Sequence, residues 1–314
     1  MKNLVIVVVL TLCAVRAPAQ GSKFNVNCDK GEKINALLKT LAKANAPPPI
    51  TINVSGTCKE NVLIQNFDRL TLNAKPGAVI MGAPKNINPA ISIVSSDYVT
   101  VQGFIVEGGP EGVQCGDNSL CNFSGLTVEN SADDGVVFSR SAGDIGNSTL
   151  QNNANRGLTV RNGSKVLLTG ATIQGNAFAG VGVVSGADLT MGSASVQNNG
   201  GSGIRVSQNA TVRLSDTTIS GNGGNGISMD AHSNASFEQN VTGNVVTGNA
   251  GVGVLLGDLS FAQFVGVNNV SGNMTQPDVA CLPQFSATRG AGTVGGTTDC
   301  HEPPAPNRKD DDVR

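Results

Sequence analysis

Residues 171–206 read ATIQGNAFAGVGVVSGADLTMGSASVQNNGGSGIRV, and they hold one unit almost twice over. Gly180-Val181-Gly182-Val183 returns 23 residues later as Gly203-Ile204-Arg205-Val206, and Asn176 returns as Asn199 at the same step. Working outward, the glycine-led tetrad recurs as Gly135-Val136-Val137-Phe138, Gly157-Leu158-Thr159-Val160, Gly226-Ile227-Ser228-Met229 and Gly253-Val254-Leu255-Leu256. Four residues ahead of each glycine from Gly157 on stands an asparagine: Asn153, Asn176, Asn199, Asn222 and Asn249, with Asn273 following. The steps are 22 or 23 residues until an insertion near His232–Gln239 lengthens one to 27. Between the tetrads lie two further short alternating runs, such as Lys165-Val166-Leu167-Leu168 and Ala171-Thr172-Ile173-Gln174. Each unit is therefore strand, strand, turn, strand.

Strands this short, with period-two alternation, cannot bury a core alone, so successive units must stack. Stacking equal coils of one chain makes parallel sheets, each coil about 4.8 Å above the last. The inward series are Val136, Leu158, Val181, Ile204, Ile227, Val254 and Phe138, Val160, Val183, Val206, Met229, Leu256. They stack small aliphatics on small aliphatics, which matches a chain with no Trp and one Tyr. At the turn, Asn and Gly are expected because both tolerate left-handed φ. Aligned asparagines can also bond amide to amide along the stack. The fold class is all-β: a single-domain right-handed parallel β-helix, a solenoid with an N-terminal capping helix.

The motif G-[VIL]-x-[VFM], followed by T-I-x-G-N, resembles the generic repeat of the pectate-lyase-like superfamily of right-handed parallel β-helices. The resemblance covers Gly112 to Asn273 and extends toward Ile50. It implies the fold; the superfamily contains lyases, hydrolases, epimerases and non-enzymes, so it implies no single activity.

The ends read differently. Residues 1–19 have the layout of a secretory signal: Lys2, an apolar run from Leu4 to Val15, then Ala17-Pro18-Ala19. The expected location is extracellular or periplasmic, with no membrane span, since the run is shorter than a bilayer needs. Residues 20–49 are expected to form the N-terminal cap, 50–280 the β-helix, 281–300 a closing loop and 301–314 a disordered tail. Ile34, Leu37, Leu38 and Leu41 form a helical stripe, Asp29 and Glu32 resemble a capping box, and Ile50–Val54 starts the first strand. Setting aside Cys13 leaves six cysteines, for which the sequence alone allows fifteen pairings; proximity suggests Cys28–Cys58, Cys115–Cys121 and Cys281–Cys300, structural staples in an oxidising compartment.

The net charge of −2 becomes about −4 when Lys2 and Arg16 leave with the signal, and no basic stripe exists, so nucleic acid is not the expected partner. The outward side chains near the glycine-led strand give two patches. The first joins Asp133, Asp134, Arg140, Arg156 and Arg161. A carboxylate pair beside arginines can bind uronates, hold Ca²⁺ or exchange protons with a sugar. Asp133-Asp134 is similar to the Asp-Asp pair of polygalacturonase-like members. The Asn-Thr-Asp, Gly-His-Gly and Arg-Ile-Lys motifs that accompany that pair are missing, as are the pectate lyase motifs and the Asp-Pro-His of alginate epimerases. The plainer reading is a salt bridge from Asp134 to Arg156. The second patch is Arg205 with Asp230, one coil apart, read as an ion pair; the spacing does not fix whether Asp216 joins it. Catalytic roles fall first on Asp133, Asp134 and Arg156, and substrate contacts on Arg140, Arg161, Arg205 and Asp230.

His232 lies in the insertion and His301 in the tail, so neither a histidine base nor a metal site is expected. Tyr98 reads as a half-buried strand aromatic. The nine N-x-S/T triplets follow from an Asn/Ser/Thr-rich composition. No cofactor is expected, and no Ca²⁺-binding repeat is present. The leading expectation is a non-catalytic extracellular or cell-surface scaffold that binds polysaccharide or a surface protein. The alternative is a lyase, glycoside hydrolase or epimerase acting on uronate-containing polymers.

Overall fold

The computed structural model describes residues 21–83, 87–282, 287–290 and 293–300, so the expected signal segment and tail lie outside the described residues. The chain winds into a parallel β-helix with three sheets, of twelve, ten and eleven strands among the described residues. One coil illustrates the path. Val136–Ser139 lies in the ten-stranded sheet II, Ala142–Gly146 in the twelve-stranded sheet I and Thr149–Gln151 in the eleven-stranded sheet III. Leu158–Arg161 then returns to sheet II, in register with Val136–Ser139. The repeat reading of the sequence therefore gives the observed register, with Val136 on Leu158, Leu158 on Val181, Val181 on Ile204 and Ile204 on Ile227. All twelve expected inward residues are at most 1% exposed.

The turn after sheet III divides its labour between two neighbouring residues. The first has left-handed φ: Asn152 at 54°, Gly175 at 64°, Asn198 at 53° and Gly221 at 65°. The second is the buried ladder asparagine. Each ladder amide donates to the next side-chain oxygen, from Asn153 through Asn176, Asn199, Asn222 and Asn249 to Asn273, at 2.9–3.0 Å. That oxygen also accepts the previous ladder residue's backbone N–H. Ser131 donates its N–H into the top of the ladder, and the Asp278 carboxylate accepts from Asn273 at the bottom. The ladder thus satisfies backbone groups that a buried turn would leave unpaired.

Both ends differ from the sequence expectation. The first strand is not Ile50–Ser55 but Ser22–Asn27, which pairs with it in parallel along its whole length. The helix Ile34–Lys43 is an insertion within the first coil, laid over the end of the core through Ile34, Leu38 and Leu41. Asp29 and Glu32 form no capping box. Glu60, from the solenoid, accepts the N–H groups of Ile34 and Asn35 at 2.8 and 3.1 Å, while Asp29 accepts from Thr57 and Glu32 from Asn27. A carboxylate at a helix N-terminus satisfies orphan donors and meets the positive end of the dipole wherever it comes from in the chain. At the other end, Ala287–Gly290 and Thr293–Val294 add strands to sheets I and III, where the sequence expectation had a closing loop. The three expected disulfides are formed.

Candidate functional site

Position in the repeat places the charged cluster. Glu111, Asp134 and Arg156 each immediately precede the glycine that opens a sheet II strand, so they occupy the same place on three successive coils. Glu111 is the member that the sequence reading missed. The signal was there, since Glu111 stands before Gly112 at a 23-residue step from Asp134, one coil above the first tetrad considered.

Asp134 is buried, and its carboxylate is engaged on both oxygens. Oδ1 accepts the Arg156 N–H at 3.1 Å, and Oδ2 accepts the Thr159 hydroxyl at 2.7 Å with the Arg156 guanidinium 4.0 Å away. Burial pushes its pKa up, the Asp133 charge adds to this, and the bonds from Thr159 and Arg156 oppose it. Glu111 is also raised, again chiefly by burial, with Asp133 and Asp134 adding repulsion and its own backbone and Arg161 opposing. Asp133 itself is exposed and accepts from Asn155 at 2.7 Å.

Arg156 runs down the sheet from Asp134. A side chain at Gly182 would meet its Cδ at 2.9 Å and its Nε at 3.1 Å, so the glycine forms the seat on which the arginine lies. The guanidinium carbon sits 5.6 Å from the Phe178 ring centroid, within cation–π range. The Nε atoms of Arg156 and Arg161 are buried without hydrogen-bond partners. Arg161 forms no ion pair with a described residue.

Arg140 does not join this cluster. It pairs with Asp117 on the preceding coil, because its backbone is left-handed (φ 51°) and turns its side chain there. Arg205 meets Asp230 at 3.5 Å, as the spacing predicts. Asp216 stands apart from that pair and accepts the N–H groups of Val241, Thr242 and Gly243 at 2.9–3.0 Å, which lowers its pKa, the Val241 bond most. Tyr98 is not a half-buried strand residue: it is 65% exposed in a turn with φ 55°. The sulfurs of Cys28 and Cys58 cluster with Glu60, but they are bonded to each other and so are not metal ligands.

Four cross-coil features thus hold the sheet II charges: Asp134 with Arg156, Asp134 with Thr159, Asp117 with Arg140, and Asp230 with Arg205. Such pairs stiffen a face and leave little charge free. Glu111, Arg161 and Asp133 remain the groups best able to meet a ligand.

The model of the right-handed β-helix region family matches residues 111–273. No curated protein matches the sequence significantly. Solved structures match its shape. A mannuronan C-5 epimerase A-module (AlgE4) of Azotobacter vinelandii superposes with a TM-score of 0.66 at 13% identity, covering 89% of this chain and 98% of that one. A pectate lyase, Pel9A, gives 0.56 at 11% identity, covering 90% and 79%. The enzymatically active domain of bacteriophage CBA120 tailspike protein 2 gives 0.61 at 12%, covering 84% and 47%. At such identities the likeness is one of fold, and the family match establishes that this chain belongs to the right-handed β-helix proteins.

Proposed function

We propose that this right-handed β-helix protein is a secreted, non-catalytic scaffold that binds polysaccharide along its ribbed lateral surface. The observation that carries the reading is the closure of the sheet II acid. Asp134 is 4% exposed, its oxygens are bonded within the protein, and Arg156 is held between it and Phe178. A general acid must reach the glycosidic oxygen or ring carbon it serves, within hydrogen-bond distance. A carboxyl filling a structural role under a pinned arginine is poorly placed for that. Three disulfides fit an oxidising compartment, and the shape neighbours include proteins named for mannuronan and pectate, which favours a carbohydrate partner. Arg161 and the exposed end of the cluster supply the contacts to an anionic polymer; no cofactor is invoked.

A second reading, a lyase, hydrolase or epimerase on uronate polymers, draws on the raised pKa values of Glu111 and Asp134, the trait of proton donors. One experiment separates the two. The protein is run against pectin, alginate, hyaluronan and neutral polymers, with and without Ca²⁺. Retention on immobilised polymer, reducing ends and the ultraviolet absorbance of unsaturated uronates are read together. Retention that weakens in Arg161→Ala without product formation supports the scaffold. Turnover that vanishes in Asp134→Ala or Glu111→Gln overturns it.

A further inference from the structure

The chain has one tyrosine and no tryptophan, and the tyrosine stands in water. Tyr98 is held out from the start of the sheet I strand Val99–Gln102 by a left-handed backbone, φ 55°, a conformation that bulky residues rarely adopt. It lies on one wall of a groove of about 240 Å³ whose other walls are Thr100, Leu120, Cys121, Asn122, Gly143 and Asp144. The polar members form a column. Thr100 pairs with Asn122 and Asn122 with Asp144, so three outward side chains stand on successive coils, about 4.8 Å apart. Gly143 takes the inward register position of Cys121 and Val166 and gives the groove floor backbone alone. No hydrogen bond or ion pair with another described residue engages the side chains of Tyr98, Thr100, Asn122 or Asp144.

We propose that this groove is a binding subsite for a neutral pyranose unit of a glycan. An aromatic face offers an apolar platform with a polar handle, and the C–H face of a sugar ring packs against it. The unengaged amide of Asn122 donates and accepts, the Thr100 hydroxyl does the same, and the Asp144 carboxylate accepts from two adjacent sugar hydroxyls. The carboxylate also sets the class of ligand. A uronate would bring a second negative charge against Asp144, whereas a neutral hexose brings donors. Spacing of the column at one coil per side chain matches a single ring bridging two or three coils. The proposal rests on the carbohydrate-binding reading above but not on the sheet II cluster, and the probes differ: neutral oligosaccharides here, anionic polymers there.

Tyr98 reports on its own site, because the protein's tyrosine emission comes from this residue alone. The full chain is titrated with cellohexaose, mannohexaose and hexagalacturonate while that emission is followed, and retention in gels containing neutral polymer is measured in parallel. The expected result is a saturable emission change with a neutral hexaose and none with hexagalacturonate. Tyr98→Ala weakens gel retention by roughly tenfold or more, the loss expected for an aromatic anchor. Tyr98→Phe, which keeps the ring, holds retention within about threefold. Asp144→Asn weakens it as well. The proposal is overturned if no neutral hexaose alters the emission, if Tyr98→Ala is retained like the wild type, or if hexagalacturonate saturates the emission as well as the neutral sugars do. Loss of anionic-polymer retention in Arg161→Ala bears on the sheet II reading alone and leaves this result untouched.

Discussion

Replacing one ladder asparagine with alanine tests whether the ladder holds the coils together. Asn199 is 2% exposed. Its Nδ2 donates to Asn222 Oδ1 at 3.0 Å and to the Ile173 carbonyl at 3.2 Å. Its Oδ1 accepts the Asn176 N–H at 3.1 Å and the Asn176 amide at 2.9 Å. Asn199→Ala removes all four bonds and leaves the Asn176 N–H buried without an acceptor. Each lost bond is worth about 1 kcal/mol net, and an orphaned buried donor costs about 1–3 kcal/mol. Allowing for non-additivity, the loss is about 3–5 kcal/mol, at the upper end for one substitution. Urea denaturation followed by far-ultraviolet circular dichroism reads it: the midpoint falls by roughly 1–2 M for an m-value near 3 kcal/mol/M. Gln174→Ala is the control, because it cuts amide bonds of similar length to Gln151 and Gln197 on the part-exposed face of sheet III. Water replaces those bonds, so that variant stays within about 0.5 kcal/mol of the wild type. If Asn199→Ala also stays within 1 kcal/mol, or if both variants lose equally, the ladder does not carry the turn as argued.

Asp134→Asn tests the closed acid. Because burial raises the folded pKa, Asp134 supports stability fully below its unfolded pKa and loses that support as pH rises through the folded value. The amide oxygen still accepts the Arg156 N–H, and its NH2 donates to the Thr159 hydroxyl, which turns to accept, so thermal melts should show the variant equal to or above the wild type at pH 7, with the gap closing toward pH 4; a large loss at pH 7 would mean that the ion pair with Arg156 outweighs desolvation. Asp278 has the opposite sign. Burial opposes its ionisation, but bonds from Asn273 and Thr297 outweigh this and hold its pKa low. Its support is present above the unfolded pKa and is lost as pH falls through the folded one, so hydrogen exchange should show acid opening at the last coils first, and Asp278→Asn should remove that pH dependence. Removing Cys28–Cys58, which closes a 30-residue separation, should cost about 3–4 kcal/mol, and Cys115–Cys121, which closes 6, about 2 kcal/mol, by the chain-entropy relation; paired Cys→Ala variants compared in urea check the order.

The solenoid was legible because stacking forces periodicity: any residue 22 or 23 positions on lands on the same face. What the period does not set was less legible. The strand Ser22–Asn27 is separated from Ile50 by a helix and three prolines, so no equal step ties them. The cap on the helix came from Glu60, a contact made in space with no short-range spacing to read. In the sequence, Asn and Gly at the turn read as one solution, whereas the structure gives left-handed φ to one position and the amide ladder to the next. Tyr98 stands at the start of the alternating run Asp97–Val101, but a positive φ breaks the alternation there and turns it outward. Arg140 was grouped by sequence with the aspartates six and seven residues before it, while its turn geometry gave it to Asp117.

In-register stacking also explains why charge is a poor guide to a binding surface in this fold. In a column that carries acids on adjacent coils, as Glu111 and Asp134 do, burial raises both pKa values and the neighbouring Asp133 charge adds to each. The chain relieves this within the column by placing Arg156 on the next coil and seating it on Gly182. A ligand that recruited Arg156 would have to leave Asp134 buried and unpaired, a penalty of several kcal/mol for an ion in a low-dielectric site. The Thr100–Asn122–Asp144 column has no such partner among the described residues, so a ligand there displaces only water. The unengaged column, rather than the charged one, is where this surface can bind at little cost.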